Sequence, residues 1–279
     1  MPALPPPGFR APSRRSGAHR GGDGRHGGRW IYGRHAVAAA LANPARSWRE
    51  LLVLAGHERE AEALLAGAVA ARARDGTGIR ILSRREFSSI LGEDAVHQGL
   101  ALLVEPLIEL SLEETLSAGE ATAGREVVLV LDRVQDPQNV GAVLRSAAAF
   151  GALAVVLPAH GAPSSEGALA KAASGALERL PLVRATNLAR ALDRLKEGGF
   201  WVCGLDESAP DLFSAKDLGL RVALVLGAEG EGMRRLVRER CDFLARLPTR
   251  EGFPTLNVSN AAAVALYELL RRCGGGKRG

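Results

Sequence analysis

Residues 126–141 read Glu126-Val127-Val128-Leu129-Val130-Leu131-Asp132-Arg133-Val134-Gln135-Asp136-Pro137-Gln138-Asn139-Val140-Gly141. The apolar run Val127–Leu131 does not alternate with polar residues, which predicts a strand covered on both faces. After the polar turn, Val140, Val143, Leu144, Ala147 and Ala148 recur at helical spacing. A buried strand, a polar turn and an amphipathic helix form the repeating unit of an α/β sheet. Ligands of such sheets bind beyond the carboxyl ends of the strands.

The same rhythm continues downstream. Further strands are predicted at Leu153–Leu157, Phe200–Cys203 and Val222–Leu226. Helices are predicted at Val140–Phe150, Glu166–Ala176, Leu188–Lys196, Met233–Arg240 and Val258–Arg272. Residues 126–273 therefore read as an α/β domain with a mainly parallel sheet, followed by a flexible end at 274–279.

Upstream, residues 106–125 look like a linker with room for one short helix. Before it, residues 30–105 read as a small α/β unit. It has a helix over His35–Leu41, strands at Leu51–Leu54, Ile79–Leu82 and Leu100–Val104, and a helix over Glu58–Arg74. Residues 1–29 hold six arginines against the single acid Asp23 and are rich in Pro and Gly. So few apolar residues cannot offset ordering entropy, and this segment reads as a disordered basic tail. It is either an arm that gathers RNA phosphates or a solvated tail with no specific role.

Composition narrows the function classes. The chain has 279 residues and a net charge of +5, which favours a polyanionic partner. Aromatic residues make up only 4%, which argues against a base-stacking platform. Cys203, Cys241 and Cys273 are scattered, and no HxxxH or HExxH spacing occurs, so neither a disulfide framework nor a metal site is expected. No apolar run is long and charge-free enough for a bilayer span, so no membrane partner is expected. The thiols suit a reducing compartment such as a cytoplasm. The many Pro and Gly residues of the tail count against a transit peptide and so against a mitochondrial matrix.

Two further polar turns follow apolar runs. Gly227-Ala228-Glu229-Gly230-Glu231-Gly232-Met233 is spaced GxxGxG, which is not a dinucleotide fingerprint. Its acids disfavour a pyrophosphate and tolerate a cationic or zwitterionic ligand. The third turn, Leu247–Pro254, leads into Leu256-Asn257-Val258-Ser259-Asn260, where Asn and Ser are suited to cap the helix that follows. In the first turn, Asn139 is placed to cap. Arg145 is either a solvated surface residue or long enough to reach back to that turn.

In this order and spacing, Asp136–Arg145, Gly227–Met233 and Leu256–Ser259 resemble the three motifs of the SpoU/TrmH family of SPOUT RNA 2′-O-ribose methyltransferases. Tyr32-Gly33-Arg34-His35-Ala36-Val37 and Val96-His97-Gln98-Gly99-Leu100 resemble the RNA substrate-binding domain of one subgroup. That subgroup methylates a guanosine ribose in the peptidyl-transferase loop of 23S ribosomal RNA. The resemblance implies a trefoil-knotted domain, S-adenosyl-L-methionine as cofactor, a homodimer, and 23S rRNA or a large-subunit assembly intermediate as partner.

By the same resemblance, Arg145 matches the catalytic arginine, and Asn139, Glu229, Asn257 and Ser259 match the other polar positions. Gly227, Glu229, Gly230, Leu247, Leu256 and Asn257 match the cofactor cradle. An arginine is a poor base, since its pKa exceeds about 12, so Arg145 is expected to orient the ribose hydroxyl and a neighbouring phosphate. Thr249 and Glu251 depart from the family's Met and Gly, and Thr255 replaces a Ser; Gly252 offers a one-residue shift. The same chemistry on tRNA or another rRNA site stays open at this point, as does a non-catalytic RNA-binding or assembly protein. A Rossmann-type methyltransferase is disfavoured, because its Gly-rich turn follows the first strand of the domain.

Overall fold

A computed structural model describes residues 29–72, 78–118, 125–210, 213, 218–250 and 256–273. Of the basic tail expected over 1–29, residues 1–28 lie outside the described residues, as does the end at 274–279, whereas Arg29 opens the first strand.

The first unit runs β1 (Arg29–Tyr32), α1 (Arg34–Ala42), β2 (Ser47–Leu54), α2 (Glu58–Ala66), β3 (Ala71–Arg72), β4 (Gly78–Leu82), α3 (Arg84–Leu91) and β5 (Leu100–Val104). Its sheet is mixed. β5 pairs antiparallel with β1 and β2, while β3 and β4 pair parallel with β2. Val37, Ala40 and Leu41 of α1 pack on Leu51, Val53 and Leu102. On the other face, Phe87 of α3 packs on Leu52 and Ala101.

The helix expected over Glu58–Arg74 ends at Ala66. Gly67 closes it, and the N–H groups of Val69 and Ala70 then both donate to Leu41 O at 2.9 Å. These bonds turn the chain so that Ala71–Arg72 lies beside Ser47–Trp48 as β3; residues 73–74 lie outside the described residues. α3 was not expected, although its capping box was readable: Ser83 N donates to Glu86 Oε2 at 2.8 Å and Glu86 N to Ser83 Oγ at 3.4 Å.

After α4 (Leu112–Ala118) come β6 (Glu126–Asp132), α5 (Pro137–Ala149), β7 (Ala154–Pro158), α6 (Ala168–Ala173) and a 3₁₀ turn at Ala176–Glu178. β8 (Leu182–Ala185), α7 (Leu188–Glu197), β9 (Trp201–Leu205), β10 (Arg221–Gly227), α8 (Arg235–Glu239), β11 (Phe243–Ala245) and α9 (Val258–Cys273) complete it. The sheet order is β11-β9-β10-β6-β7-β8, every pair parallel. The expected α/β class with a mainly parallel sheet holds. The knot depends on the path from β11 to α9, of which residues 251–255 lie outside the described residues.

Both faces of this sheet are covered. Leu129 and Leu131 share a core with Val140 and Val143 of α5 and Ala262 and Leu266 of α9. Val128 and Val130 face Leu188 and Leu192 of α7. Each fully buried Val or Leu stabilises by about 1.5–3 kcal/mol relative to exposure, which explains the unbroken apolar runs. The first unit docks on this domain through α6, and the core runs on from Ile31 and Val37 to Ala170 and Leu177. The seam is pinned by a buried ion pair. Glu178 accepts from Arg46 Nε at 3.2 Å and from Asn43 Nδ2 at 2.7 Å, with the Arg46 and Glu178 side chains only 7% and 3% exposed.

Candidate functional site

The carboxyl ends of β6 and β10 lie side by side, with Leu131 opposite Leu226 and Asp132 opposite Gly227. This register brings together turns that are about a hundred residues apart in sequence. The chain from Gly227 folds back as a tight hairpin in which Gly232 N donates to Ala228 O at 2.9 Å. A Cβ on Gly227 would stand 2.2 Å from the Gly232 carbonyl carbon, so only glycine fits there. Asp132, fully buried, holds the far end of the hairpin: Arg234 donates to it through N and Nε, each at 2.7 Å. Arg133, with φ of 63°, pairs with Glu231 at 2.7 Å.

Asn257 is the hub. Its Oδ1 accepts from Ser259 N at 2.9 Å and Ser259 Oγ at 2.6 Å, capping α9 as expected. Its Nδ2 donates to Glu229 Oε1 at 2.6 Å and Asn139 Oδ1 at 2.9 Å. Glu229 Oε1 also accepts from Val258 N at 3.1 Å, which sets a carboxylate at the positive end of the helix. Four of the expected site residues, Asn139, Glu229, Asn257 and Ser259, thus form one connected network across three turns. All the donor and acceptor capacity of the Asn257 amide is used. Asn139 Nδ2 and Glu229 Oε2 are left without partners among the described residues.

Two expectations change in detail. Asn139 does not cap α5: Asp136 does, accepting from Gln138 N at 3.2 Å and Asn139 N at 3.1 Å, and Asn139 sits in the first turn. Arg145 does not reach back to the hub. It stands about 120° around α5 from Asn139 and shares a face with Gln138, seven residues earlier. There it lines a second pocket together with Tyr32, Gln98 and Lys171.

Beside the hub opens a cleft of about 1070 Å³, lined by Leu226, Gly227, Glu229, Gly230, Leu247 and Leu256 among others. Every residue expected to cradle the cofactor except Asn257 lines it. Leu205, Met233 and Val258 supply apolar wall, while Asp206, Glu207, Glu229 and Glu231 supply carboxylates. A ligand with an aromatic base, a sulfonium and an amino acid end fits such a mixed lining. Thr249 and Arg250 reach the cleft, whereas the departures at Glu251 and Thr255 lie outside the described residues. Burial pushes the Cys241 thiol up to about 12.

Residues 126–267 match the model of the SpoU rRNA methylase family, and residues 30–110 match the family of RNA 2′-O ribose methyltransferase substrate-binding domains. The chain belongs to the SpoU rRNA methylase family. It is therefore a methyltransferase, and S-adenosylmethionine is the methyl donor that its cleft suits. A 23S rRNA (guanosine-2′-O-)-methyltransferase RlmB of Pseudomonas aeruginosa is 42% identical over 246 residues, covering 87% of this chain and 96% of that one. The RlmB of Xanthomonas campestris is 39% identical over 243 residues, with 87% and 96% covered. The SpoU methyltransferase AviRb of Streptomyces viridochromogenes shares the fold, with a TM-score of 0.72 at 22% identity over 91% of this chain and 92% of that one.

The sequence reading missed Asp132 and Lys171 as parts of the sites. Asp132 was legible as an acid ending an apolar strand beside the first turn. Lys171 carried no local signal, because its importance arises only where the two units meet.

Proposed function

We propose that this protein is an S-adenosylmethionine-dependent 2′-O-methyltransferase acting on a guanosine of 23S ribosomal RNA in a bacterial cytoplasm. The observation that carries this reading is the Asn257 hub at the edge of the cleft, joining turns from three distant parts of the chain. The likeness to the RlmB enzymes over 87% of the chain supports the choice of RNA.

When bound in the cleft, S-adenosylmethionine supplies a methyl group on a positively charged sulfur. The chain's own residues supply position. Asn257 fixes the amide of Asn139 so that Nδ2 points outward as a donor, and it holds Glu229 against the start of α9. With Glu229 so placed, the backbone at Leu256 and Val258 forms a rigid wall of the cleft. Arg145 lies outside the cleft, at the seam, and acts on the ribose through the RNA strand that it holds. Holding two reactants in line can supply about 7–11 kcal/mol, so rigid placement accounts for much of the expected rate enhancement.

A homodimer fits the surface of α9. Val264 and Tyr267 are 45% and 57% exposed on one side of that helix, and Leu256 just before it is 39% exposed. Large apolar side chains clustered this way suit burial against a second copy. Sedimentation equilibrium is expected to give twice the chain mass, and Tyr267→Glu to shift it to monomer. The decisive test of function is the 2′-O-methylation map of 23S rRNA in a strain lacking the gene. One guanosine methylation is expected to vanish and to return with the wild-type gene but not with Asn257→Ala. An unchanged map refutes the substrate.

A further inference from the structure

The seam between the two units contains a pocket of about 290 Å³. From the first unit it takes Tyr32, His35 and Gln98. From the second it takes Gln138 and Arg145 of α5, and Lys171 of α6. No Asp or Glu lines it. Among the described residues neither Arg145 nor Lys171 has an ion-pair partner, in a chain where most arginines near the seam are paired. Burial lowers the Lys171 pKa, as expected for a cation that has lost water and gained no anion.

The pocket is built and held. Gly33 has φ of 92°, and a Cβ there would lie 3.3 Å from Gln98 Oε1 and 3.5 Å from Lys171 Cγ, so the backbone turns tightly against both. Gln98 takes φ of 53° and Ser174 φ of 50°, left-handed conformations uncommon outside glycine. Gln98 Oε1 accepts from Arg34 N at 3.2 Å, and its amide nitrogen is a donor with no partner among the described residues. The Arg46–Glu178 pair locks the two units, so the pocket keeps its shape before any ligand arrives.

We propose that this pocket is a phosphate site for the RNA backbone, with Lys171 and Arg145 binding one phosphodiester and Gln98 donating to it. Two cations and an amide donor, without a competing carboxylate, suit an anion with several acceptor oxygens. The site deepens the function proposed above and rests on the substrate being RNA. Lys171 is a positioning residue here. It draws the strand against Arg145, while the first unit, through Gln98, senses the same phosphate. Capture of RNA by the first unit and placement of the ribose in the second then become one event.

The test is the salt dependence of RNA binding by the full chain. Two probes are used: a transcript of the 23S peptidyl-transferase loop and a single-stranded oligouridine. Each phosphate neutralised in a single strand contributes about 0.7 to the slope of log K against log salt. Lys171→Gln is expected to lower that slope by about 0.7 on both probes. It is also expected to leave S-adenosylmethionine affinity unchanged, which controls for folding. Lys171→Arg is expected to restore the slope. An unchanged slope in Lys171→Gln overturns the phosphate site, even where the wild type methylates the transcript. A lowered slope together with no wild-type methylation of the transcript keeps the phosphate site and refutes the choice of 23S RNA.

Discussion

The cleft beside the Asn257 hub and the seam pocket carry different charge. The cleft lining sets Asp206, Glu207, Glu229 and Glu231 against Arg238, Arg246 and Arg250, close to balance. The seam sets Arg145 and Lys171 against no carboxylate at all. A nearly balanced, partly apolar cleft suits a small zwitterion; a positive pocket suits a polyanion. Asn139 and Arg145 are only six residues apart, yet the helical period sends one to each side. Asn139 joins the hub beside the cleft, while Arg145, about 9 Å further along the helix axis, lines the seam.

The comparison breaks most readily at the seam lock. Glu178→Leu leaves the buried Arg46 guanidinium without its carboxylate, and removing one partner of a buried pair costs about 3–5 kcal/mol. Urea unfolding is expected to show that loss, while Arg46→Met added to Glu178→Leu recovers most of it. A cost below 1 kcal/mol means that the units are not locked, and the seam pocket then has no fixed shape. On the cleft side, Asn257→Ala removes the donor that joins Asn139 to Glu229. Methyl transfer is expected to fall about 100-fold in kcat, or about 2.7 kcal/mol, while loss of the α9 cap costs about 0.5–2 kcal/mol and lowers the thermal midpoint by a few degrees. Retention of rate within threefold places the chemistry elsewhere.

The division of charge predicts a smaller, reciprocal pair of effects. Glu229→Gln keeps the shape but halves the acceptor strength toward Asn257 and Val258. Calorimetry is expected to show S-adenosylmethionine bound about 10-fold more weakly, with the RNA salt slope unchanged. Lys171→Gln is expected to do the reverse. If either substitution moves both readouts, the two pockets are not separate devices.

Much of this was legible in the sequence, and the reason differs by region. The parallel sheet announced itself because β6, β7, β9 and β10 are interior strands, buried on both faces and therefore continuously apolar. β8 and β11 sit at the edges, are three to four residues long, and carry no such run. The hub residues were legible through the resemblance, since Asn139, Glu229, Asn257 and Ser259 match motif positions in polar turns and first helical turns. The position of Arg145 was not, because side-chain direction depends on helix phase, and the start of α5 was read three residues late. The first unit was harder. Its mixed sheet exposes Ile79 and Ile81 at 53% and 60%, so strand β4 lacks a simple inside and outside. The seam was invisible, since nothing local marks Lys171 or Glu178 as meeting residues far upstream.

The smallest effect concerns His97, whose loop carries Gln98 into the seam. Its ring stacks on Phe87 at 4.4 Å between centroids, and its Nδ1 accepts from Gly99 N at 3.1 Å. Burial first, then the charges of Arg84, His57 and Lys171, hold its pKa below the ordinary 6.5. The folded state therefore binds this proton less readily than the unfolded chain. Stability contributed by the neutral ring is complete above 6.5 and declines as pH falls through the depressed folded value, because the unfolded state takes up the proton first. Urea midpoints are expected to drop modestly between pH 7.5 and 5.5, and His97→Gln to flatten that portion of the profile. Protonation also abolishes the Nδ1 acceptor that supports the left-handed Gln98. RNA affinity is therefore expected to weaken as pH falls below that depressed folded value, and less so in His97→Gln, while S-adenosylmethionine affinity holds. Equal acid sensitivity of both ligands would show that His97 acts on the fold at large and not on the seam.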